Sequence, residues 1–225
     1  MKMQKVARIL LYSSLVSCSL FVIRATLLRN LDYWYLIWNL FLAWVPLFFM
    51  YLLIHHTQKN PWISLKSISM SILWLVFLPN SFYIATDFIH LIESPSYTLL
   101  FDIVLILSFT FNGFLLGYTT VIYIHNALLK KITAKTAHLL IGLVFLLCSF
   151  AIYLGRYLRW NTWDIISNPL GILFDVSERF INPSLHEQTF RTTALFFVLI
   201  STFYLVLWQF NIIFLEDSTK NREHR

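Results

Sequence analysis

Long apolar runs separated by short polar stretches set the pattern of this chain. Six of them, 6–23, 33–54, 67–85, 99–124, 138–154 and 192–215, approach or exceed the roughly 20 residues a helix needs to cross the hydrocarbon of a bilayer. Together they predict an all-α integral membrane bundle of six transmembrane helices, forming a single transmembrane domain over residues 1–225. The connection between the fifth and sixth runs, from Gly155 to Arg191, is too long for a simple turn. Within it Pro169 opens a stretch whose Leu170, Leu173, Phe174, Phe180 and Ile181 share one helical face. Asp175 and Arg179 fall opposite, Glu178 at the flank, and Asn182-Pro183 ends the stretch. A short amphipathic helix lying in the membrane interface is the expected result.

Composition agrees with that picture. The 225 residues are 58% hydrophobic and 12% charged, about half the charged share of an ordinary soluble domain, which excludes water as the main solvent. A net charge of +6 raises nucleic acid as a partner, but the basic residues are spread over short connections and form no stripe, so none is expected. Their distribution speaks instead to orientation. The N-terminus, the second-to-third and fourth-to-fifth connections and the C-terminal tail hold all 8 Lys and 3 Arg, whereas the other connections hold 6 Arg. Counting Asp102 just inside the fourth run, 8 of the 11 acidic residues lie on or near the side of those other connections. The positive-inside rule then places both termini in the cytoplasm.

The first run begins like a signal peptide, with Lys2, Lys5 and Arg8, and Leu15-Val16-Ser17-Cys18 resembles a lipoprotein cleavage box. It stays apolar through Phe21 and Ile23, so an uncleaved first helix is expected. Cys18 and Cys148 lie inside apolar runs and read as small core residues. In the fourth run Gly113 and Gly117 form a pair that lets another helix approach closely, here expected within the bundle.

Chemistry concentrates in the stretch Phe77 to Leu91, FLPNSFYIATDFIHL. At 100° per residue Asn80, Tyr83, Asp87 and His90 fall in one polar stripe on an apolar helix. Such a stripe must face protein or water. With the expected topology, Asp87 and His90 reach the outer face, where the fourth helix starts with Asp102 and the fifth ends with Arg156 and Arg159, then Asn161 and Asp164. These nine residues form the candidate ligand site.

The pieces FLPNSFYIATDFIHL, FDIVLILSFTFNGFLLG and YLGRYLRWNTWD resemble a bacterial multi-pass membrane family known as domain of unknown function 1361, over roughly residues 39–210. The resemblance implies a bacterial plasma-membrane protein with several spans and supplies no activity, substrate or cofactor. Three functional readings therefore stand on the residues. In the first, Asp87, Asp102 and Asp164 pair with Arg156 and Arg159 in a structural network with no ligand. The second has the arginines bind a phosphate or carboxylate of a solute or lipid head group, walled by Trp160, Trp163 and Tyr83. In the third, Asp87 and His90, with Asp102 or Asp164, serve a metal-assisted or acid–base enzyme. No zinc helix motif, P-loop, GxSxG elbow or dinucleotide fingerprint occurs, so no cofactor is indicated. Beyond the lipid bilayer, the partner expected is the anionic group of the second reading.

Overall fold

A computed structural model describes the backbone of residues 2–223 and the side chains of residues 3–213. Part of the positive charge on which the expected orientation rests, on Lys2 and the tail after Glu216, lies outside the described side chains. Helix makes up 85% of the chain, and no strand occurs among the described residues. The helices are α1 (Lys2–Leu28), α2 (Trp34–Thr57), α3 (Leu65–Phe77), α4 (Pro79–Tyr83), α5 (Leu99–Leu129), α6 (Ala134–Tyr157), α7 (Asp164–Ser167), α8 (Pro169–Ile181) and α9 (Glu187–Glu223). A ten-residue 3₁₀ helix, Ile84–Glu93, continues α4, and a short one, Pro183–Leu185, precedes α9. Six units are long and apolar enough to cross a membrane: α1, α2, α3 with α4 and the 3₁₀ segment, α5, α6 and α9.

Helix α5 is the axis of the bundle. It packs on α1, α2, α4, the 3₁₀ segment and α6, while α9 packs mainly on α6 and reaches α5 through side-chain hydrogen bonds. Its membrane-length window is 44% buried, against 17% for α1 and α9, so those two leave most of their apolar side chains on the outside. Leu36, Met50, Phe82, Phe109 and Phe145 fill the interior. Large apolar side chains such as Ile9, Tyr12, Leu27, Leu139 and Leu195 stay exposed, a surface that suits lipid and not water. Several polar groups at depth pair between helices, where no water is at hand to satisfy them. Asn112 Nδ2 donates to Ser17 Oγ at 2.8 Å, Trp74 Nε1 to Thr120 Oγ1 at 3.1 Å and Tyr118 OH to the Ile200 carbonyl at 3.0 Å.

The third span departs from the expected single helix, and the cause is local. Pro79 has no N–H and stops α3. Ser81 N then bonds back only three residues, to Leu78 O at 3.0 Å, so the Phe77 carbonyl loses its usual partner. Asn80 Nδ2 replaces that partner at 2.9 Å. Two glycines of α5 make room for the resulting bend. A Cβ on Gly113 would overlap the Ser81 carbonyl oxygen, and one on Gly117 would lie 2.8 Å from the Phe82 ring. The small-residue pair thus serves packing inside the chain. The Ser81 hydroxyl also reaches the Ala43 carbonyl at 3.3 Å, beside the gap that Pro46 leaves in α2.

Helix α8 realises the expected amphipathic segment. Asn168 caps it by accepting from Gly171 N at 3.1 Å. Its Leu170, Leu173, Phe174, Phe180 and Ile181 point away from the protein, whereas Arg179 is 5% exposed and lies over the Tyr153 ring, 5.9 Å from its centre. The polar face is turned into the bundle and the apolar face out, the reverse of a helix on a soluble protein.

Candidate functional site

The C-termini of α1 and α6, the N-termini of α2 and α5 and the 3₁₀ segment meet at the end of the bundle distant from both chain termini. Two arginine–aspartate pairs stand there, built differently. Arg24 Nε contacts Asp102 Oδ1 at 2.6 Å, with 4% and 0% of the side chains exposed. Thr98 Oγ1, one turn back on α5, donates to Asp102 Oδ2 at 3.1 Å, and Arg24 Nη1 donates to Asn30 Oδ1 at 2.7 Å. The guanidinium also lies 4.3 Å from the centre of the Tyr33 ring. The Tyr33 hydroxyl pairs with Ser94 Oγ at 2.8 Å, and burial pushes its pKa up. Both carboxylate oxygens and two of the three guanidinium nitrogens thus have partners inside the protein. Asp102, expected beside Arg156 and Arg159, belongs instead to Arg24, because its face of α5 is turned to α1.

The second pair is looser. Asp87, 2% exposed, accepts from Asn39 Nδ2 at 2.9 Å, while Arg156 Nη1 stands 3.6 Å from Asp87 Oδ1, beyond hydrogen-bonding distance. The Arg156 side chain is only 20% exposed, yet among the described residues it makes no hydrogen bond. A guanidinium has five donors. Three residues per turn in the 3₁₀ segment align Ile84, Asp87, His90 and Glu93 along one edge, rising from the core to the surface. His90 lies with its ring 5.1 Å from that of Tyr35, whose buried hydroxyl has no partner among the described residues.

Two cavities flank this pair. One of about 170 Å³ is lined by Arg24, Tyr33, Tyr35, His90 and Glu93. The other, about 240 Å³, lies among α2, α4, α6 and the α6–α7 link, with Asn39, Asn80, Tyr83, Asn161 and three tryptophans on its wall. Asn39 holds Asp87 and lines the larger cavity, and His90, one 3₁₀ turn from Asp87, lines the smaller. The expected stripe is therefore divided, with Asn80 and Tyr83 on one cavity, His90 on the other and Asp87 buried.

The remaining expected residues sit in the link after α6. Arg159 adopts φ 59°, and Trp160 N bonds to the Leu154 carbonyl at 3.2 Å. This is the left-handed helix terminus usually given to glycine. Arg159 is exposed and forms no ion pair among the described residues. Asp164, expected opposite the arginines, is engaged locally. Its Oδ2 accepts from Asn161 N at 2.7 Å, the return half of a capping box, and its Oδ1 from Ser167 Oγ at 3.0 Å. The Asn161 N–H, with the Ser167 hydroxyl adding, holds this carboxyl below the usual range. The weaker metal alternative of Asp87, His90 and Asp102 finds no shared point, since Arg24 occupies Asp102. Among the described residues no three His, Cys, Asp or Glu side chains come together for an ion.

Sequence reasoning overlooked Arg24 and Tyr35 and treated Asn39 only as a polar residue at depth. A signal for Arg24 existed. It is an arginine one residue past the first apolar run, among apolar neighbours and level with the Asp102 end of the fourth run in the expected topology.

The fold and the distribution of apolar surface define a multi-pass helical membrane protein. Residues 38–207 match the family described as Protein of unknown function (DUF1361), which covers most of the chain, and the protein belongs to that family. No curated protein and no solved structure matches it.

Proposed function

We propose that the protein resides in a bacterial plasma membrane with both termini cytoplasmic, and that it binds an anionic group at its outward-facing end through Arg156. The group is a phosphate or carboxylate, carried by a lipid head group or a small solute. The observation that supports this reading is the state of Arg156: four-fifths buried, 3.6 Å from Asp87 and with no hydrogen bond spent within the described chain. A charge kept at a membrane interface needs partners, and a guanidinium suits two oxygens of one anion. Asp87, restrained by Asn39, balances the charge when no ligand is bound. The partnerless Tyr35 hydroxyl and the ring of His90 supply further neutral contacts nearby. Arg159, exposed on the rim, attracts the anion from solution.

The test is thermal unfolding of the purified protein in neutral detergent, titrated with inorganic phosphate and with a short-chain phosphatidate. Wild type is expected to gain stability with either anion, and Arg156→Gln to lose that gain. An equal gain in both proteins contradicts the proposal.

A further inference from the structure

The larger cavity differs chemically from the arginine beside it. No charged side chain lines it. Three of its wall residues are asparagines, and each has its amide nitrogen committed. Asn39 Nδ2 donates to Asp87 at 2.9 Å, Asn80 Nδ2 to the Phe77 carbonyl at 2.9 Å and Asn161 Nδ2 to Asp164 at 3.3 Å. Carboxylates and carbonyls accept only, so the amides cannot be turned round and the oxygen of each stays free to accept. Asn80 spends its second N–H on Thr162 Oγ1 at 3.0 Å, while Asn39 and Asn161 each keep one. The donor nearest Asn80 Oδ1, the Thr162 hydroxyl, stands 3.5 Å away, at the limit of bonding. Of the four aromatic residues on the wall, Trp160 has its polar end committed, whereas Trp38 Nε1, Trp163 Nε1 and the Tyr83 hydroxyl make no hydrogen bond among the described residues. Trp160 Nε1 is bound to Asp175 Oδ2 at 2.7 Å, which leaves its ring to meet a ligand. Trp38 and Trp163 stand edge to face, 6.4 Å apart.

An uncharged cavity of amide oxygens, spare N–H and O–H groups and indole faces takes a neutral ligand that both donates and accepts hydrogen bonds and has an apolar face. An ammonium group would also satisfy the oxygens, but no carboxylate reaches the cavity surface and Arg156, next to Gly155 of its wall, opposes a cation. The volume of about 240 Å³ holds one six-membered ring. We propose that this cavity binds a polyhydroxylated ring, a sugar or cyclitol, whose hydroxyls donate to the amide oxygens of Asn39, Asn80 and Asn161 while its C–H face lies on the tryptophans.

The experiment uses the full chain in phosphatidylcholine nanodiscs and three probes of similar size: methyl β-glucoside, choline and cyclohexanol. Tryptophan fluorescence and saturation-transfer NMR follow binding. Methyl β-glucoside is expected to bind saturably and more tightly than the other two. Asn161→Ala keeps its backbone bond to Asp164 and should weaken that binding by about threefold to tenfold, the worth of one hydrogen bond. Trp163→Leu, at the exposed rim, should weaken it as well. Choline or cyclohexanol binding as tightly as the glucoside overturns the assignment, and so does an unchanged affinity in both variants. Octyl β-glucoside then separates the sources: tighter binding than the methyl form assigns a membrane-borne ring, equal binding a free one. Phosphate stabilisation measured on the same wild-type sample reports separately on Arg156, so either reading can fail without the other.

Discussion

Arg24–Asp102 and Arg156–Asp87 lie at the same end of one bundle, are made of the same two residue types and differ in how completely they are satisfied. The first is closed: a contact of 2.6 Å, both side chains buried, and further partners in Thr98, Asn30 and the Tyr33 ring. The second is open, a contact of 3.6 Å with an arginine that has donors to spare. Closed pairs tie helices together, and here the tie joins α1 to the start of α5. Open pairs cost the fold something unless another molecule completes them. The structural reading of the charged cluster therefore fits Arg24 and Asp102, and the proposed binding function rests on Arg156 and Asp87. A count of acids and bases could not have separated the two.

The difference can be attacked from either side. The largest effect is expected from Asp102→Ala, which strands the Arg24 guanidinium in a buried position. A loss of about 3–5 kcal/mol is typical of such a break, seen as a collapse of folded yield and of the unfolding midpoint in detergent. Replacing both members, Arg24→Met with Asp102→Leu, should recover much of it. Next comes Gly113→Ala. The added methyl meets the Ser81 backbone and should cost about 1–3 kcal/mol. Because Ser81 leads into the segment carrying Asp87, anion-dependent stabilisation should fall at the same time. Asn39→Leu removes one hydrogen bond to Asp87 and should cost about 1 kcal/mol, with a larger effect on anion response than on folding. Arg159→Gly has the smallest effect and the opposite sign. Glycine relieves the left-handed backbone at φ 59° and should raise stability by up to about 1 kcal/mol. If anion affinity drops while stability rises, the strained arginine is retained for binding.

The architecture was legible because lipid imposes a length on each span that a 225-residue chain cannot disguise. Six runs became six spans, and the helical spacing of Leu and Phe after Pro169 foretold α8. Pro79 announced a break, but not that a 3₁₀ helix would follow and divide the stripe between two cavities. That outcome depends on Asn80 taking over the Phe77 carbonyl and on the two glycines of α5 accepting the bend. The site was legible only in outline. Asp87 and Arg156 were expected at one end of the bundle, and the structure brings them to 3.6 Å. Asp102 and Asp164 were assigned to the wrong partners, since charge and depth do not say which way a helix is turned. Asp164 also satisfies Asn161 three residues away, and local hydrogen bonds of this kind compete with distant arginines at little entropic cost.

Thermal unfolding of Arg24→Gln and Arg156→Gln, measured side by side with and without phosphate, tests the division most directly. Arg24→Gln should unfold far below wild type and any surviving fold should still respond to phosphate. Arg156→Gln should unfold within a few degrees of wild type and ignore the anion. Equal destabilisation by the two changes, or a phosphate response that persists without Arg156, would contradict the account.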